Sequence, residues 1–428
     1  MHLQSTSDKL HHHAQVPDSY IDAFFREFHG KPHEILHEET FRATLAQGAI
    51  HHSQLDIVCA IGAKYVHSGP HGHSLCAQFT ETARAAVDME FPSFESFQTL
   101  LLISISYFYL GKGYKTFMLL GTTVRMAYGL DLNRELPPNE LVTPVEREVR
   151  RRAFWACYLL DRFVVCGSRR PPILLEESIQ LQLPSSMPLA QMRGLDEQFI
   201  SSHMGLAGPG AGQSLVGGLL APRRQAENAS ALCIGITKLL GTAMRYIEQG
   251  GVKGDIHFPW HAQSNLTKIR CELDHWAART LTWELYSQTP GAAQGHGLYL
   301  RHPDVTLLVM AKAIFHLVSC LIYRPFLAVE FGGNPRRAHQ VAEGVTAHAH
   351  GPEVGHGGQQ QIWQAEATKM CFVHANAIGD LVEVLKSTKP EGFQWPAILG
   401  FVNAFISFHF FSTPVLLQDA WWVRIRLY

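Results

Sequence analysis

Residues 143–172 read TPVEREVRRRAFWACYLLDRFVVCGSRRPP and contain the best-marked helix of the sequence. Thr143 is a typical N-cap residue, Pro144 suits the first helical position, and Glu146 completes a capping box. Apolar side chains then recur at helical spacing along one face: Val149, Ala153, Ala156, Leu160 and Phe163. The stretch therefore predicts an amphipathic helix that runs to Gly167.

The rest of the chain also carries helical patterns. Before this helix they cover 18–28, 53–65, 97–110 and 114–128, and after residue 230 they cover 231–249, 262–287, 304–331, 361–387 and 396–418. No run shows the period of two that marks a half-buried strand. We therefore predict an all-α fold, a large multi-helix bundle with Gly/Pro-rich loops. The helix near 97–110 is apolar on nearly all sides, so we expect it at the centre.

Composition shifts divide the chain into four parts. Residues 1–16 are predicted to form a disordered N-terminal tail, and 17–185 form the first helical half. Residues 186–230 are rich in Gly, Pro and Ser and are predicted to be a flexible linker. Residues 231–428 form the C-terminal helical half, interrupted by a Gly- and His-rich loop at 332–360.

Charge and cysteine spacing exclude several classes of protein. The 428 residues have a formal net charge of -1, so a strongly basic surface for nucleic acid is not expected. The eight cysteines form no C-x-x-C pair, which excludes a zinc ribbon, a zinc finger and a thioredoxin-type site by local spacing. Cys59, Cys157 and Cys320 lie in apolar helical patterns and are predicted to be buried free thiols, as suits a reducing compartment.

Seven arginines are concentrated in residues 144–170, at positions 147, 150, 151, 152, 162, 169 and 170. Two interpretations compete. The arginines could form a basic surface for nucleic acid or an acidic partner, or they could pair within the chain with Glu146, Glu148 and Asp161. The pairing interpretation is favoured, because glutamates stand four residues before two of the arginines.

Histidine is abundant, with 25 residues, and three groups are candidates for metal binding. They are His11, His12 and His13; His67, His71 and His73; and His348, His350 and His356. Solvated loop histidines are the favoured interpretation, because neither of the last two groups is completed by a carboxylate or thiol at a familiar spacing. We find no nucleophile elbow, phosphate loop or metalloprotease motif, so no catalytic residue and no metal ligand is nominated.

Two apolar stretches are long enough to raise the question of a membrane span. Residues 305–323 contain Lys312 and His316, which favours a buried helix. Residues 397–418 are more apolar and barely reach the roughly 20 residues that a span needs. A core helix is favoured for both, and no membrane partner is expected.

Three further segments, read with residues 143–172, make the chain recognisable. They are LLGTTVRMAYGLDLNRE (119–135), SYIDAFFREFHGKPHEILHEETFR (19–42) and HLVSCLIYRPFL (316–327). Together they resemble the fungal-specific transcription factor domain, the middle homology region of fungal zinc-cluster transcription factors, over about residues 17–420. The family-motif positions are Gly129, Arg152, Trp155, Tyr158, Asp161, Arg162, Arg170, Pro171, Arg324 and Pro325. We expect them to be determinants of the fold rather than ligand contacts.

The resemblance implies a non-enzymatic regulatory domain that acts in the nucleus. Family members read DNA through an N-terminal six-cysteine, two-zinc cluster, whose spacing does not occur here. No zinc or other cofactor is therefore expected in this chain, and DNA is expected as a partner only indirectly or through that missing module. A fragment or incomplete gene model, a paralogue without the module, and a module on another subunit are the three explanations.

Effector and partner binding are the expected mode of control. Transcription machinery or co-regulator proteins, a small-molecule effector and a homodimer are the partner classes that the resemblance implies. The apolar helices near Phe97–Tyr109 and Phe401–Phe411 are candidate walls of an effector pocket. The alternatives are an all-α metal-dependent enzyme that uses the histidine groups and a membrane-associated helical sensor.

Overall fold

The computed structural model describes residues 17–137, 139–166, 170–203, 229–285, 305–326 and 356–387. Within these ranges there are twelve α-helices and no strand. One isolated parallel β-bridge joins Arg134 to Gln180. The predicted all-α class is therefore confirmed. The tail at 1–16 lies outside the described residues.

Among the described residues, those up to Ile234 form one compact unit, and those from Gly235 onward form a second. The helices of the first unit are α1 (Asp18–Ala23), continued by a π-helix (Phe24–Phe28), then α2 (Glu38–Ala46), α3 (His52–Val66), α4 (Gly69–Ala86), α5 (Phe94–Tyr109), α6 (Gly113–Gly129), α7 (Pro144–Val165), a short 3-10 helix (Glu176–Ser178) and α8 (Leu189–His203).

Helix α5 is the centre of this unit, as its apolar sequence predicts. Every residue from Phe97 to Tyr107 is buried, and α3, α4, α6 and α7 all pack against it. Its few polar side chains are satisfied locally: the Ser104 hydroxyl donates to the Leu100 carbonyl at 2.8 Å, and Ser106 bonds Thr80 of α4 at 2.7 Å. Buried hydroxyls therefore do not disrupt the core, because each has a partner.

A close backbone approach fixes α1 against α3. A Cβ placed on Gly62 would lie 1.9 Å from the carbonyl oxygen of Tyr20. No real side chain tolerates that distance, so only glycine lets the two helices come this close. The chain thereby brings Ile21 and Phe24 into the core.

The end of α6 differs in detail from its prediction. Gly129 is the last helical residue, as expected, but the left-handed position that closes the helix is Asp131, with φ 51. The Leu132 amide donates to the Ala127 carbonyl at 2.9 Å, the long bond of a Schellman motif. Aspartate is one of the few side chains that tolerates this conformation.

The prediction of a flexible linker at 186–230 is wrong for residues 189–203. Residues Leu189–His203 form helix α8, which packs against α7. Leu189 and Met192 are buried with Val145 and Val149 in a small hydrophobic cluster. The Asp196 carboxylate also accepts from the Val145 amide at 3.0 Å. Residues 204–228 lie outside the described residues.

Helix α9 (Ala229–Glu248) crosses from the first unit into the second. The second unit continues with α10 (Asn265–Leu285), α11 (Val305–Tyr323), a 3-10 helix (Arg324–Phe326) and α12 (His356–Ser387). Helix α11 packs against both α10 and α12. The start of α12 falls inside the predicted loop 332–360, whose earlier part lies outside the described residues.

One helix in the described part of the chain, Thr306–Phe326, is long and apolar enough to cross a bilayer. In its most apolar window, 67% of the residues are buried inside the protein. A core helix of a soluble protein has the same properties, as the sequence interpretation favours. The second candidate stretch, 397–418, lies outside the described residues.

Candidate functional site: the motif helix and the segment along it

Helix α7 begins as its sequence predicts. Thr143 has an extended backbone, and its hydroxyl accepts from the Glu146 amide at 3.2 Å. Pro144 occupies the first helical position. The helix then runs 22 residues to Val165. Its polar motif residues lie on the side where residues 170–187, the return segment, pass back along it.

At the C-terminal end of α7, Asp161 holds the return segment by its backbone. Its carboxylate accepts from the Ile173 amide at 3.1 Å and from the Leu174 amide at 3.0 Å. The Asp161 side chain is only 1% exposed. Burial raises the pKa of this carboxyl, while the two amides and Arg162 oppose that rise. Asp161 thus supplies hydrogen bonds that an extended segment cannot make to itself.

Arg162 is fully buried beside Asp161. One nitrogen donates to the Asp161 carboxylate at 2.6 Å and another to the Leu174 carbonyl at 2.9 Å. Its guanidinium lies 4.4 Å from the ring centroid of Tyr158, in cation–π geometry. The Nε atom has no hydrogen-bond partner. A buried cation placed in this way joins α7 to the return segment at both backbone and side-chain level.

The middle of α7 uses two aromatic residues. The Trp155 indole donates to the Gln182 carbonyl at 2.7 Å, and the Tyr158 hydroxyl donates to the Glu176 carboxylate at 3.1 Å. Both rings are buried and pack edge to face with each other, 5.3 Å between centroids. The aromatic bodies therefore fill the core while their polar atoms hold the return segment.

Arg152 organises the N-terminal part of the same face. Its guanidinium pairs with Glu148 at 2.7 Å and also with Glu34 from the loop before α2. It donates further to the Ser185 and Met187 carbonyls, at 3.2 and 2.7 Å. Burial lowers the pKa of Arg152, but the two carboxylates more than offset it, so the pKa is raised. Arg152 is therefore charged and fully engaged.

A second layer ties the loop after α6 to the return segment. The Glu135 carboxylate accepts two hydrogen bonds from Arg151, from Nε at 3.0 Å and from a terminal nitrogen at 2.9 Å. It also accepts a hydrogen bond from the Gln182 amide at 2.9 Å. The Asn133 side chain donates to the Ser178 carbonyl at 2.7 Å. The return segment is thus held from two sides.

The pairing interpretation is confirmed for Arg152 with Glu148 and for Arg162 with Asp161. The predicted pair of Glu146 with Arg150 is not found among the described contacts, because Arg150 binds a backbone carbonyl instead. Arg147 donates to the carbonyls of residues 136, 137, 140 and 142, and Arg150 donates to the Leu130 carbonyl. Arg170 lies over the Tyr114 and Phe117 rings, 5.0 and 4.6 Å from their centroids. Arg169 lies outside the described residues. The described arginines, which could form a basic surface judged from the sequence alone, bind groups of the chain itself.

The structure brings together five motif residues: Arg152, Trp155, Tyr158, Asp161 and Arg162. We call these five residues, with the return segment 170–187, the spine. Gly129 lies at the exposed end of α6, and Pro171 is exposed in the return segment. Arg324 and Pro325 are exposed in the 3-10 helix of the second unit.

The family model of the fungal specific transcription factor domain matches residues 21–278, more than half of the chain, and contains the whole spine. The chain belongs to this family. The match ends before residues 316–327, so the resemblance of that segment, with Arg324 and Pro325, stays a prediction.

Curated relatives of this fungal transcription factor domain carry consistent names. The Zn(2)-C6 fungal-type transcription factor FTF2 of Fusarium oxysporum f. sp. lycopersici is 27% identical over 270 residues, 59% of this chain and 25% of that protein. FTF1c of the same fungus is 30% identical over 185 residues, 40% of this chain and 20% of that protein. An uncharacterized transcriptional regulatory protein of Schizosaccharomyces pombe, C1327.01c, is 28% identical over 278 residues, 60% of this chain and 27% of that protein.

The chain spans about a quarter of the length of these relatives. No solved structure matches it.

The histidine groups do not form a metal centre in the described part of this domain. No group of three or more His, Cys, Asp or Glu side chains there could hold a metal ion. His67 bonds the Tyr20 hydroxyl at 2.8 Å. His71 and His73 are exposed on the first turns of helix α4, so they are not in the loop that the favoured interpretation expected. His356 begins α12. His11, His12, His13, His348 and His350 lie outside the described residues.

Sequence reasoning missed a contact between two other histidines, in the second unit. The Nδ1 atoms of His316 on α11 and His374 on α12 are 2.8 Å apart. Burial lowers the pKa of both rings, that of His316 to about 4, so both are neutral at pH 7 and one donates to the other. The adjacent Cys320 and Cys371 each contact the other's carbonyl, at 3.7 and 3.8 Å. The only sequence signal is the spacing H-x3-C on one helix and C-x2-H on the other.

Most of the cysteines are buried free thiols. Seven of the eight are buried, and Cys271 is exposed. Burial raises the pKa of the Cys157 thiol well above its usual range, which keeps it protonated. The predicted burial of Cys59, Cys157 and Cys320 is confirmed.

The apolar stretch Phe97–Tyr109 forms plain core, as described above for α5. Two cavities lined by described residues lie in the second unit. One of about 670 Å³ lies between α9 and α10 and is lined by Lys238, Glu272, Trp276 and Arg279 among others. Phe401–Phe411, the other predicted pocket wall, lies outside the described residues.

Proposed function

We propose that this chain is the regulatory domain of a fungal transcription factor and controls DNA-templated transcription through a bound partner or effector. The family match over residues 21–278 is the observation that carries the proposal. The relatives are named as transcription factors or a transcriptional regulatory protein, so their names point the same way. DNA would be read by a zinc cluster outside this chain, and the site of action would be the nucleus.

The chemistry of the spine supports a non-enzymatic role. Asp161, Arg162 and Arg152 are the charged motif residues of α7, and all three are buried and engaged within the chain. A catalytic acid or base must reach a substrate in a cleft. These side chains instead bind one segment of backbone, so their role is structural.

Control would act through populations of conformations. The return segment is held mainly by side chains of α7 and of the loop after α6, so it can be bound or released as a piece. A partner or effector that prefers one arrangement shifts the balance by its difference in affinity. The spine would then transmit this change of conformation to a surface that binds the transcription machinery.

A reporter assay tests this proposal. The full chain is fused to a heterologous DNA-binding domain and compared with that domain alone on a matched promoter. We expect the fusion to change transcription, and we expect Asp161→Asn to reduce that change while the fusion protein is still present on an immunoblot. A fusion indistinguishable from the DNA-binding domain alone would contradict the proposal.

The DNA and localisation parts have separate tests. In a gel-shift experiment the purified chain alone is expected to show no tight sequence-specific binding, so such binding would refute the indirect role in DNA recognition. A fluorescent fusion to the natural full-length protein is expected in the nucleus. Exclusion from the nucleus under all growth conditions would refute that assignment.

A further inference from the structure

Helix α12 has a buried side and a solvent side, and the solvent side carries a regular line of residues. The helix packs against α11 and the 3-10 helix that follows α11. Its buried residues are Trp363, Ala367, Cys371, His374, Ala375 and Ile378. The exposed residues that we call the α12 stripe are Ile362, Glu366, Lys369, Val373, Asn376 and Asp380. At 3.6 residues per turn, these six lie within about 40° of one line along the helix, on the side away from the buried residues.

The stripe has the spacing of a helix–helix contact. Its residues follow one another at alternating steps of four and three, as do the contact positions of two helices that pack along their length. Ile362 is 69% exposed and Val373 is 50% exposed. Single exposed apolar side chains are ordinary, so these two alone identify no partner. The order of the residues along the stripe is what points to one.

Two opposite charges lie between the two apolar residues. Glu366 and Lys369 are both exposed, and neither forms an ion pair with another described residue. Arg270 of α10 stacks on Trp363, with its guanidinium 4.9 Å from the ring, but does not pair with Glu366. Both charges of the stripe are therefore available to a group outside the chain.

The order of these four residues is symmetric about its midpoint. Ile362 lies four residues before Glu366, and Val373 lies four residues after Lys369. A two-fold axis at the midpoint reverses the order in a second, antiparallel helix. It places Ile362 opposite the partner's Val373 and Glu366 opposite the partner's Lys369. Apolar side chains then meet apolar ones, and each charge meets its opposite.

Other arrangements of two such helices do not match. The two neighbouring antiparallel registers place Ile362 opposite the partner's Glu366 or opposite the partner's Asp380. A parallel pair places Glu366 opposite the partner's Glu366, and like charges brought together cost free energy. Charged positions along a helix contact select the register in this way.

We propose that the α12 stripe binds the α12 stripe of a second copy of this chain, as an antiparallel helix pair. A two-fold interface uses the same patch on both subunits, so the patch must be complementary to itself. The segment from Ile362 to Val373 has that property. Two contacts between Ile362 and the partner's Val373 would flank two ion pairs. This inference goes beyond the proposed regulatory function and does not depend on it.

Sedimentation velocity of the purified full chain tests the proposal. A single helix pair forms a small interface, so we expect a monomer–dimer equilibrium with a dissociation constant of about 10–100 µM. Glu366→Lys and Lys369→Glu should each weaken the dimer by roughly tenfold or more, because each change brings like charges together at two symmetric places. Ile362→Ser should also weaken the dimer, by removing apolar contact at both ends.

Rescue of association separates this role from simple damage to the helix. An equimolar mixture of the Glu366→Lys and Lys369→Glu chains should associate about as tightly as the unaltered chain, because the two cations of one chain then face the two anions of the other. The chain that carries both substitutions should again dimerise with itself. A merely destabilised helix would regain nothing in either experiment.

Glu272→Lys and Ile256→Ser are the matched controls, because both positions are exposed in the same unit and lie outside the α12 stripe. Each should leave the dissociation constant within about twofold. The proposal is overturned if the full chain stays monomeric over this concentration range, or if Glu366→Lys weakens the dimer no more than Glu272→Lys does. It is also overturned if the equimolar mixture fails to associate, since the antiparallel register requires that rescue.

Discussion

Replacing Asp161 by asparagine should strongly destabilise the first unit. The substitution removes a charge from a pair whose side chains are 0% and 1% exposed, and leaves Arg162 buried without its nearest anion. Breaking a buried pair in this way costs about 3–5 kcal/mol. The total stability of a domain is only about 5–15 kcal/mol, so a large part of it would be lost. The amide of asparagine also has one accepting oxygen instead of two, so the bond from the Ile173 amide to the second carboxylate oxygen is lost.

Hydrogen exchange and urea unfolding both measure this loss of stability. A loss of about 3 kcal/mol corresponds to more than a hundredfold faster exchange, which should appear in peptides that cover residues 170–187. Glu81→Gln is the control, because Glu81 and Lys115 are each 52% exposed and such pairs contribute less than about 1 kcal/mol. Asp161→Asn combined with Arg162→Met should cost less than Asp161→Asn alone, since no buried cation is left without its nearest anion. Unchanged exchange in Asp161→Asn would refute the role assigned to the pair.

Three further substitutions test other parts of the fold by urea unfolding. Gly62→Ala should lower the free energy of unfolding by about 3 kcal/mol or more through its clash with Tyr20. Gly121→Ala is the control: its Cβ would meet only Ile173, at an ordinary contact distance of 3.7 Å, so it should be neutral or stabilising by up to about 1 kcal/mol. Equal effects would contradict the close approach. Burial without any hydrogen-bond partner lowers the pKa of His33 to about 3. As the pH falls below 6.5, this histidine is therefore protonated in the unfolded chain before it is protonated in the folded one. The free energy of unfolding should then drop by up to about 1.4 kcal/mol per pH unit, down to about pH 3. His33→Leu should remove one proton from that dependence, and an unchanged slope would refute it. Asp131→Gly should be neutral or stabilising by up to about 1 kcal/mol, and Asp131→Val destabilising by about 1–2 kcal/mol; a tolerated valine would exclude the left-handed turn.

Local sequence signals predicted the helices well where caps and periodicity agree. Thr143 and Pro144 begin α7 as expected, and the apolar run around Phe97 is the central helix. The start of α3 shows the limit. Ser53 has the residue type of an N-cap, but His51 caps the helix, and Ser53 is buried in its first turn. Histidine is not among the preferred N-cap residues, so the local preference alone did not locate this helix start.

The error at 186–230 has a similar cause. Gly- and Pro-rich composition predicted a linker, but residues 189–203 are helical because Leu189 and Met192 find apolar partners on α7. Composition describes what a segment prefers alone. It does not show which hydrophobic surface another helix offers.

The sequence by itself determined the helical class and the family, because caps, periodicity and motif order are local properties of the chain. It could not determine what the charged motif residues do. Asp161 and Arg162 hold a backbone segment twelve or thirteen residues further along, and Arg152 reaches Glu34 across 118 residues. Only the tertiary structure decides such pairings, because burial in a shared core determines which distant groups lie close enough to pair with a buried charge.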